Sequence, residues 1–158
     1  NLAVGDSYQG GIVAYIFQVG DPGYVEGETH GLIAAASNQN GGEYIQWYNG
    51  SYLVTASATA LGTGNANTNT IVSVQGAGSY AAKLCYDLDL NGYSDWYLPS
   101  KDELNKLYIN RAAIGASDYL WSSSEANQLD AWGQNFGNGS QGSWGKNGVC
   151  YVRAVRSF

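Results

Sequence analysis

The segment GYSDWYLPSKDELNKLY (residues 92–108) joins a glycine-centred turn, an Asp-Trp-Tyr run, a proline and a helix start. Ser100 and Glu103 have the spacing of a capping box, in which each side chain accepts a hydrogen bond from the other's free backbone N–H. Pro99 discourages any earlier helix start. Beyond the cap, Leu104, Leu107, Tyr108 and Arg111 fall on one helical face. The helix that starts at Ser100 is the clearest local element of the chain.

The flanks extend this pattern. Toward the N-terminus, GGIVAYIF (residues 10–17) and LIAAAS (residues 32–37) are apolar runs of strand length, separated by the turn chemistry of GDPGYVEGETHG. Asn49-Gly50, between the aromatic runs of EYIQWYNGSYLVT, predicts a hairpin. A helix is expected over residues 67–75, stopped by Gly76. A second is expected in SYAAKLCYDL, where Ala81, Leu84, Cys85 and Leu88 recur at helical spacing. From Tyr119 onward the chain is Gly, Ser, Asn and Trp in short segments, and YVRAVRSF reads as a closing strand. Together these predict an α+β domain of short strands, two to three helices and long Gly/Asn/Ser-rich loops, with its first and last strands paired. No repeat or linker interrupts residues 1–158, which read as a single domain. The loop-rich region before the closing strand is the expected binding surface.

Composition narrows the function. Of the 158 residues only 13% are charged, and the net charge is −6. With a pI near 4.4, the chain offers no global field for nucleic acid. No apolar run reaches the roughly 20 residues of a membrane-spanning helix. The chain begins at Asn1 and contains no Met, which predicts a piece of something longer. Two cysteines, Cys85 and Cys150, are too few for a disulfide scaffold and read as two buried thiols or one bridge. The Tyr, Asn, Ser and Gly bias suits an extracellular setting, where a bridge is permitted.

Taken together, SDWYLPSKDEL, YLWSSSE, AWGQNFGNG and the terminal VRAVRSF resemble the C-terminal domain family of the Legionella collagen-like adhesin. VGDSYQGGIVAYI, HGLIAA, GTGNANTNTIV and AAKLCYDL extend the resemblance, in order, over nearly the whole chain. It implies a C-type-lectin-like fold, in which Asp95, Trp96 and Leu98 lock the turn into the core and Ser100 starts a supporting helix. It also implies a homotrimeric head on a collagen-like stalk at the bacterial cell surface, binding sulfated glycosaminoglycans on host cells. A Cys85–Cys150 disulfide, like the long bridge of C-type lectins, is expected on the same ground. Two other readings stand beside this one: a variable-type protein-recognition domain of a phage or bacterial surface protein, and a purely structural trimerisation head.

The candidate chemistry divides into three groups of residues. Trp121-Ser122-Ser123-Ser124-Glu125 offers serines, but His30 is the chain's one histidine and lies in a glycine turn, so no enzyme is expected. Asp87, Asp89 and Asn91, around Gly92, have the D-x-D-x-N-G spacing of half a calcium loop. Leu98 stands where a bidentate Glu is needed, so a solvated acidic turn is the simpler reading and no cofactor is required. Sulfate recognition calls for Arg forks and Lys point charges. Lys101, Lys106, Arg111 and Lys146 are the expected outward contacts, with Trp144 stacking on a sugar ring. Asp102 is spaced to pair with Lys106, at least one of Arg153 and Arg156 is expected to be structural, and Trp132 and Phe136 read as core residues.

Overall fold

The computed structural model describes residues 1–52 and 56–158. A four-stranded antiparallel sheet forms from β1 (Ser7–Tyr8), β2 (Gly11–Ile16), β3 (Gly31–Ala34) and β9 (Val155–Ser157), in the order β1-β2-β3-β9. All four residues of β3 are buried, as its unbroken apolar run requires. The expected pairing of first and last strands is corrected: β3 lies between them, with Ile33 opposite both Val13 and Arg156.

Four α-helices follow the early strands: α1 (Gly64–Gln75), α2 (Ala81–Tyr86), α3 (Lys101–Ile109) and α4 (Arg111–Ile114). The first three are the expected ones, and α4 is an added turn that ends on Gly115 in the left-handed region. A single turn of 3-10 helix occupies Asn40–Gly42. The α+β class therefore stands, with one helix more than expected among the described residues.

The capping box forms. Ser100 Oγ accepts the Glu103 N–H at 3.3 Å, and the Ser100 N–H donates to Glu103 Oε1 at 2.9 Å. The same carboxylate reaches the start of α1, accepting the N–H groups of Gly64 at 3.1 Å and Gly62 at 3.2 Å. A Cβ on Gly64 would overlap Glu103 Oε1, so only glycine allows this approach. Just before the cap, Trp96 and Leu98 are buried and Tyr97 bridges to Val155. Asp95 forks onto Arg156 at 2.7 and 3.1 Å, and that guanidinium lies 4.0 Å from the Tyr93 ring. The segment around the cap is thus scaffold, laid along β9.

The stretch from Tyr119 departs most from expectation. It is a three-stranded antiparallel meander of β5 (Tyr119–Glu125), β6 (Asp130–Asn135) and β7 (Gln141–Gly145). Ser122, Ser123 and Ser124 are fully buried in β5. Ser122 Oγ donates to the Trp132 carbonyl at 2.6 Å, Ser124 Oγ donates to the Ala58 carbonyl at 2.7 Å, and Ser123 Oγ accepts from Asn67 at 3.4 Å. Satisfied hydroxyls can be buried at modest cost, which lets a polar sequence form an interior strand.

The expected hairpin at Asn49-Gly50 runs on to Thr55, and residues 53–55 of its second arm lie outside the described residues. Its first arm, β4 (Ile45–Gln46), pairs with β8 (Val149–Cys150). Asn49 instead ties to the end of α1, donating to the carbonyls of Gln75 at 3.1 Å and Ala77 at 2.7 Å.

Two apolar clusters form the core, one around Trp47, Trp121 and Tyr80, the other around Leu32, Leu104, Leu107 and Leu120. Cys85 and Cys150 both belong to the first. The expected disulfide is corrected, because both are free thiols. They act there as small apolar groups, and burial pushes both thiols above their ordinary pKa, Cys150 to about 12.

Candidate functional site

The register of β5–β7 sorts the aromatics onto two faces. Tyr119 stands opposite Asn135, Trp121 opposite Gly133, and Ala131 opposite Trp144. Side chains alternate along a strand, so Tyr119, Trp121 and Trp144 share one face while Trp132 and Gln134 occupy the other. Helix α3 covers that second face. Gln141 donates to the Lys101 carbonyl at 2.8 Å, Gln134 donates to Asn105 Oδ1 at 2.9 Å, and Lys101 Nζ sits 3.8 Å above the Trp132 ring.

The first face carries an open aromatic cleft of about 440 Å³, lined by Tyr44, Tyr119, Trp121, Trp144, Gly148, Val149 and Cys150. Trp144 stands edge-on to both Tyr119, 5.3 Å away, and Trp121, 6.2 Å away. Its ring lies across Gly133, where a Cβ would collide with it. Tyr44 enters just ahead of β4 and stacks on Tyr151 with ring centroids 4.1 Å apart. Tyr44 and Tyr119 remain 49% and 46% exposed, so their rings offer accessible apolar area beside phenol hydroxyls. At the rim, Asn135 Nδ2 donates to the Tyr119 hydroxyl at 3.3 Å. The Tyr151 phenol is pushed up to about 12, first by its hydrogen bond with Tyr44, then by desolvation, with the Asp118 and Glu43 charges adding to the effect.

Of the expected contacts, only Trp144 lies in this cleft. Lys146 is corrected outright: it is fully buried, with Nζ 2.5 Å from Glu125 Oε2 and 5.0 Å from the Trp47 ring. Lys101 turns toward Trp132, whereas Lys106 reaches the Tyr15 ring at 4.9 Å. Five residues of helix rotate their directions apart by about 140°, so the two lysines do not form one patch. Nor do Lys106 and Asp102 appear among the ion pairs of the described residues. Arg111 folds over Tyr108 at 4.2 Å and donates to its carbonyl at 3.0 Å. Both closing arginines are structural. Arg156 holds Asp95, and Arg153 donates to Asn38 Oδ1 and to the carbonyls of Ala35, Ile114 and Gly115. Phe136 is core, as expected, and Trp132 is half-buried under Lys101.

The acidic turn is less open than its spacing suggests. Asp87 pairs with Lys83 at 3.1 Å, and Asn91 donates to the Gly10 carbonyl at 2.8 Å. Asp87 and Asp89 do line a cleft of about 570 Å³ with Asn38, Asn40, Lys83 and the apolar Leu84, Leu88 and Leu90. Among the described residues no group of three His, Cys, Asp or Glu is placed to hold a metal ion. His30 accompanies Glu28 at 2.6 Å and the Phe158 carbonyl at 3.0 Å. Its pKa is raised, chiefly by the Glu28 hydrogen bond.

Sequence reasoning did not single out Tyr44, Tyr119 or Tyr151. The available signal was an acidic residue next to tyrosine at a strand entrance, in Glu43-Tyr44 and Asp118-Tyr119.

No helix among the described residues is long and apolar enough to cross a membrane. No curated protein matches the chain. A solved fimbrial protein from Bacteroides ovatus shares the fold over 80% of this chain, with a TM-score of 0.55 at 15% identity, and the match spans 35% of that protein. The model of the Lcl C-terminal domain matches residues 35–156, a range that holds the capping box, the meander and every residue lining the aromatic cleft. By that match the chain belongs to the Lcl C-terminal domain family.

Proposed function

We propose that this adhesin-type surface domain binds carbohydrate, and that the aromatic cleft is the site. The carrying observation is the open face of the meander, where the half-exposed Tyr44 and Tyr119 rings flank Trp144. A sugar ring has a C–H face that packs on an aromatic ring and an edge of hydroxyls. The phenol groups and the Asn135 amide at the rim suit that edge. The domain would work outside the cell at the bacterial surface, and as a homotrimer three weak sites would gain avidity on a repetitive chain.

A second reading keeps the sulfated glycosaminoglycan as ligand. It is favoured by one observation: among the described residues, none of Lys101, Lys106 and Arg111 is in an ion pair.

One binding series tests both readings. Tyr44→Ala and Tyr119→Ala are each expected to weaken glycan binding about fivefold, as fits the loss of roughly 1 kcal/mol from one stacked ring. Unchanged binding in both variants, with native unfolding curves, would sink the cleft. Under the second reading, Lys101→Ala with Lys106→Ala would instead weaken heparin binding and flatten its salt dependence.

A further inference from the structure

We infer that a second cleft, beside Arg153, is an oxyanion site that takes one carboxylate or sulfate group. Arg153 lines this cleft of about 370 Å³ together with Ser37, Asn38, Gly41, Gly42 and Gly115, and it shares no lining residue with the aromatic cleft. Arg153 is only 3% exposed. A charge buried so deeply ordinarily has a counter-charge, yet among the described residues Arg153 is in no ion pair. Its hydrogen bonds all go to neutral oxygens. Nε donates to Asn38 Oδ1 at 3.0 Å, Nη1 to the Ala35 and Ile114 carbonyls at 3.1 and 2.7 Å, and Nη2 to the Gly115 carbonyl at 3.4 Å. A guanidinium has two N–H groups on Nη2, so one is unused among the described residues and the other is in a long bond. Burial lowers the Arg153 pKa to about 10, which still leaves it charged at neutral pH.

The edge of the guanidinium that carries Nε and Nη2 is the one at the cleft. Its partners Asn38 and Gly115 line the cleft, whereas Ala35 and Ile114, the partners of Nη1, do not. Arg153 can only donate, so Asn38 must turn its Oδ1 toward it. The Asn38 NH2 group is thereby left without an acceptor among the described residues. Ser37, beside it, is exposed. Gly41 and Gly42 hold the left-handed region at φ 62° and 83°, with open space where a Cβ would stand, so no side chain covers this wall of the cleft. Guanidinium and amide donors around one opening match the several acceptor oxygens of a carboxylate or sulfate. Arg153 is the one charged residue in the described lining, which suits a single acidic group rather than a run of charges.

The test titrates sodium sulfate and sodium glucuronate into nitrogen-15-labelled protein at constant ionic strength, with sodium chloride and glucose as controls. Wild type is expected to show saturable NMR shifts at the Gly41, Gly42 and Gly115 amides and at the Arg153 Nε–H. The dissociation constant should be on the order of 1 mM, as one charge-assisted contact allows. Arg153→Ala would also strip the Ala35, Ile114 and Gly115 carbonyls of their donor, so Asn38→Asp is the deciding variant. It keeps the shape of the side chain and sets a carboxylate on the guanidinium. It should raise the urea midpoint and weaken the binding of either anion about tenfold, the loss of one charge-assisted hydrogen bond. Shifts with sulfate alone or with glucuronate alone support the site and name the group it takes. The inference is overturned if neither anion gives saturable shifts at these residues, if glucose shifts them as glucuronate does, or if Asn38→Asp binds both anions as tightly as wild type.

Discussion

Lys146→Ala is expected to destabilise the domain by about 3–5 kcal/mol, the usual result of stripping the partner from a buried charge. Lys146 and Glu125 have fully buried side chains and meet at 2.5 Å. The other Glu125 oxygen accepts the Ala56 N–H, so the carboxylate ties β5 to the chain just after residue 55. Without the ammonium, the buried Glu125 carboxylate loses its counter-charge, and a buried charge stripped of its counter-charge costs free energy. The pair itself is a weaker contribution than this loss suggests. Lys146→Met with Glu125→Gln removes both charges and should recover much of the stability. Urea unfolding of both single variants and the double variant gives the coupling directly. A Lys146→Ala midpoint equal to wild type would mean that the ammonium is not buried as described. The same experiment bears on binding. A glycan-contacting lysine would lose affinity at constant stability, whereas this one should lose stability first.

How much of this was legible depended on whether the deciding contact was local. The capping box is written into four consecutive residues, and α3 begins where Ser100 and Glu103 require. The apolar runs of β2 and β3 announce buried strands, and Gly76 stops α1 as expected. The meander was hidden because its most buried strand, β5, reads Trp-Ser-Ser-Ser-Glu. Those polar groups are satisfied by the Trp132 carbonyl, the Ala58 carbonyl and Asn67, each distant in sequence. Lys146 read as an outward cation for the same reason, since Glu125 is 21 positions away. The cleft is harder still. Tyr44, Tyr119 and Trp144 come from three separated segments, and only the β4–β8 pairing and the meander register bring them together. Trp144 was legible alone because glycines surround it. The lysines of α3 were legible as charges, but nothing in their spacing showed that Trp132 and Tyr15 draw them to different sides.

Glu103→Ala is the other substitution expected to cost several kcal/mol, although it removes only one carboxylate. That carboxylate accepts the N–H groups of Ser100, Gly62 and Gly64, and lies 3.5 Å from the Tyr97 hydroxyl. Alanine would orphan three backbone donors at the joint between α1 and α3, at about 1 kcal/mol or more each, so about 3 kcal/mol in all. Glu103→Gln should fall between Ala and wild type, because its carbonyl oxygen still accepts while its NH2 faces the Gly62 donor. The pH dependence separates charge from shape. Burial raises the Glu103 pKa, and the backbone donors oppose that rise without cancelling it. A raised carboxyl pKa means that the folded state holds its proton more tightly than the unfolded chain does. The associated stability is fully present below the unfolded value near 4.5 and is lost as pH rises through the higher folded value. The carboxamide of the Glu103→Gln variant does not titrate. Wild type should therefore gain on Glu103→Gln as pH falls from neutral through the raised folded value toward 4.5. Subtracting one variant from the other cancels groups that move the opposite way, such as Asp95, which Arg156 holds below its ordinary range. Paired urea midpoints at neutral and mildly acidic pH give this difference. A gap that narrows on acidification would show that the backbone donors, not burial, set the state of Glu103.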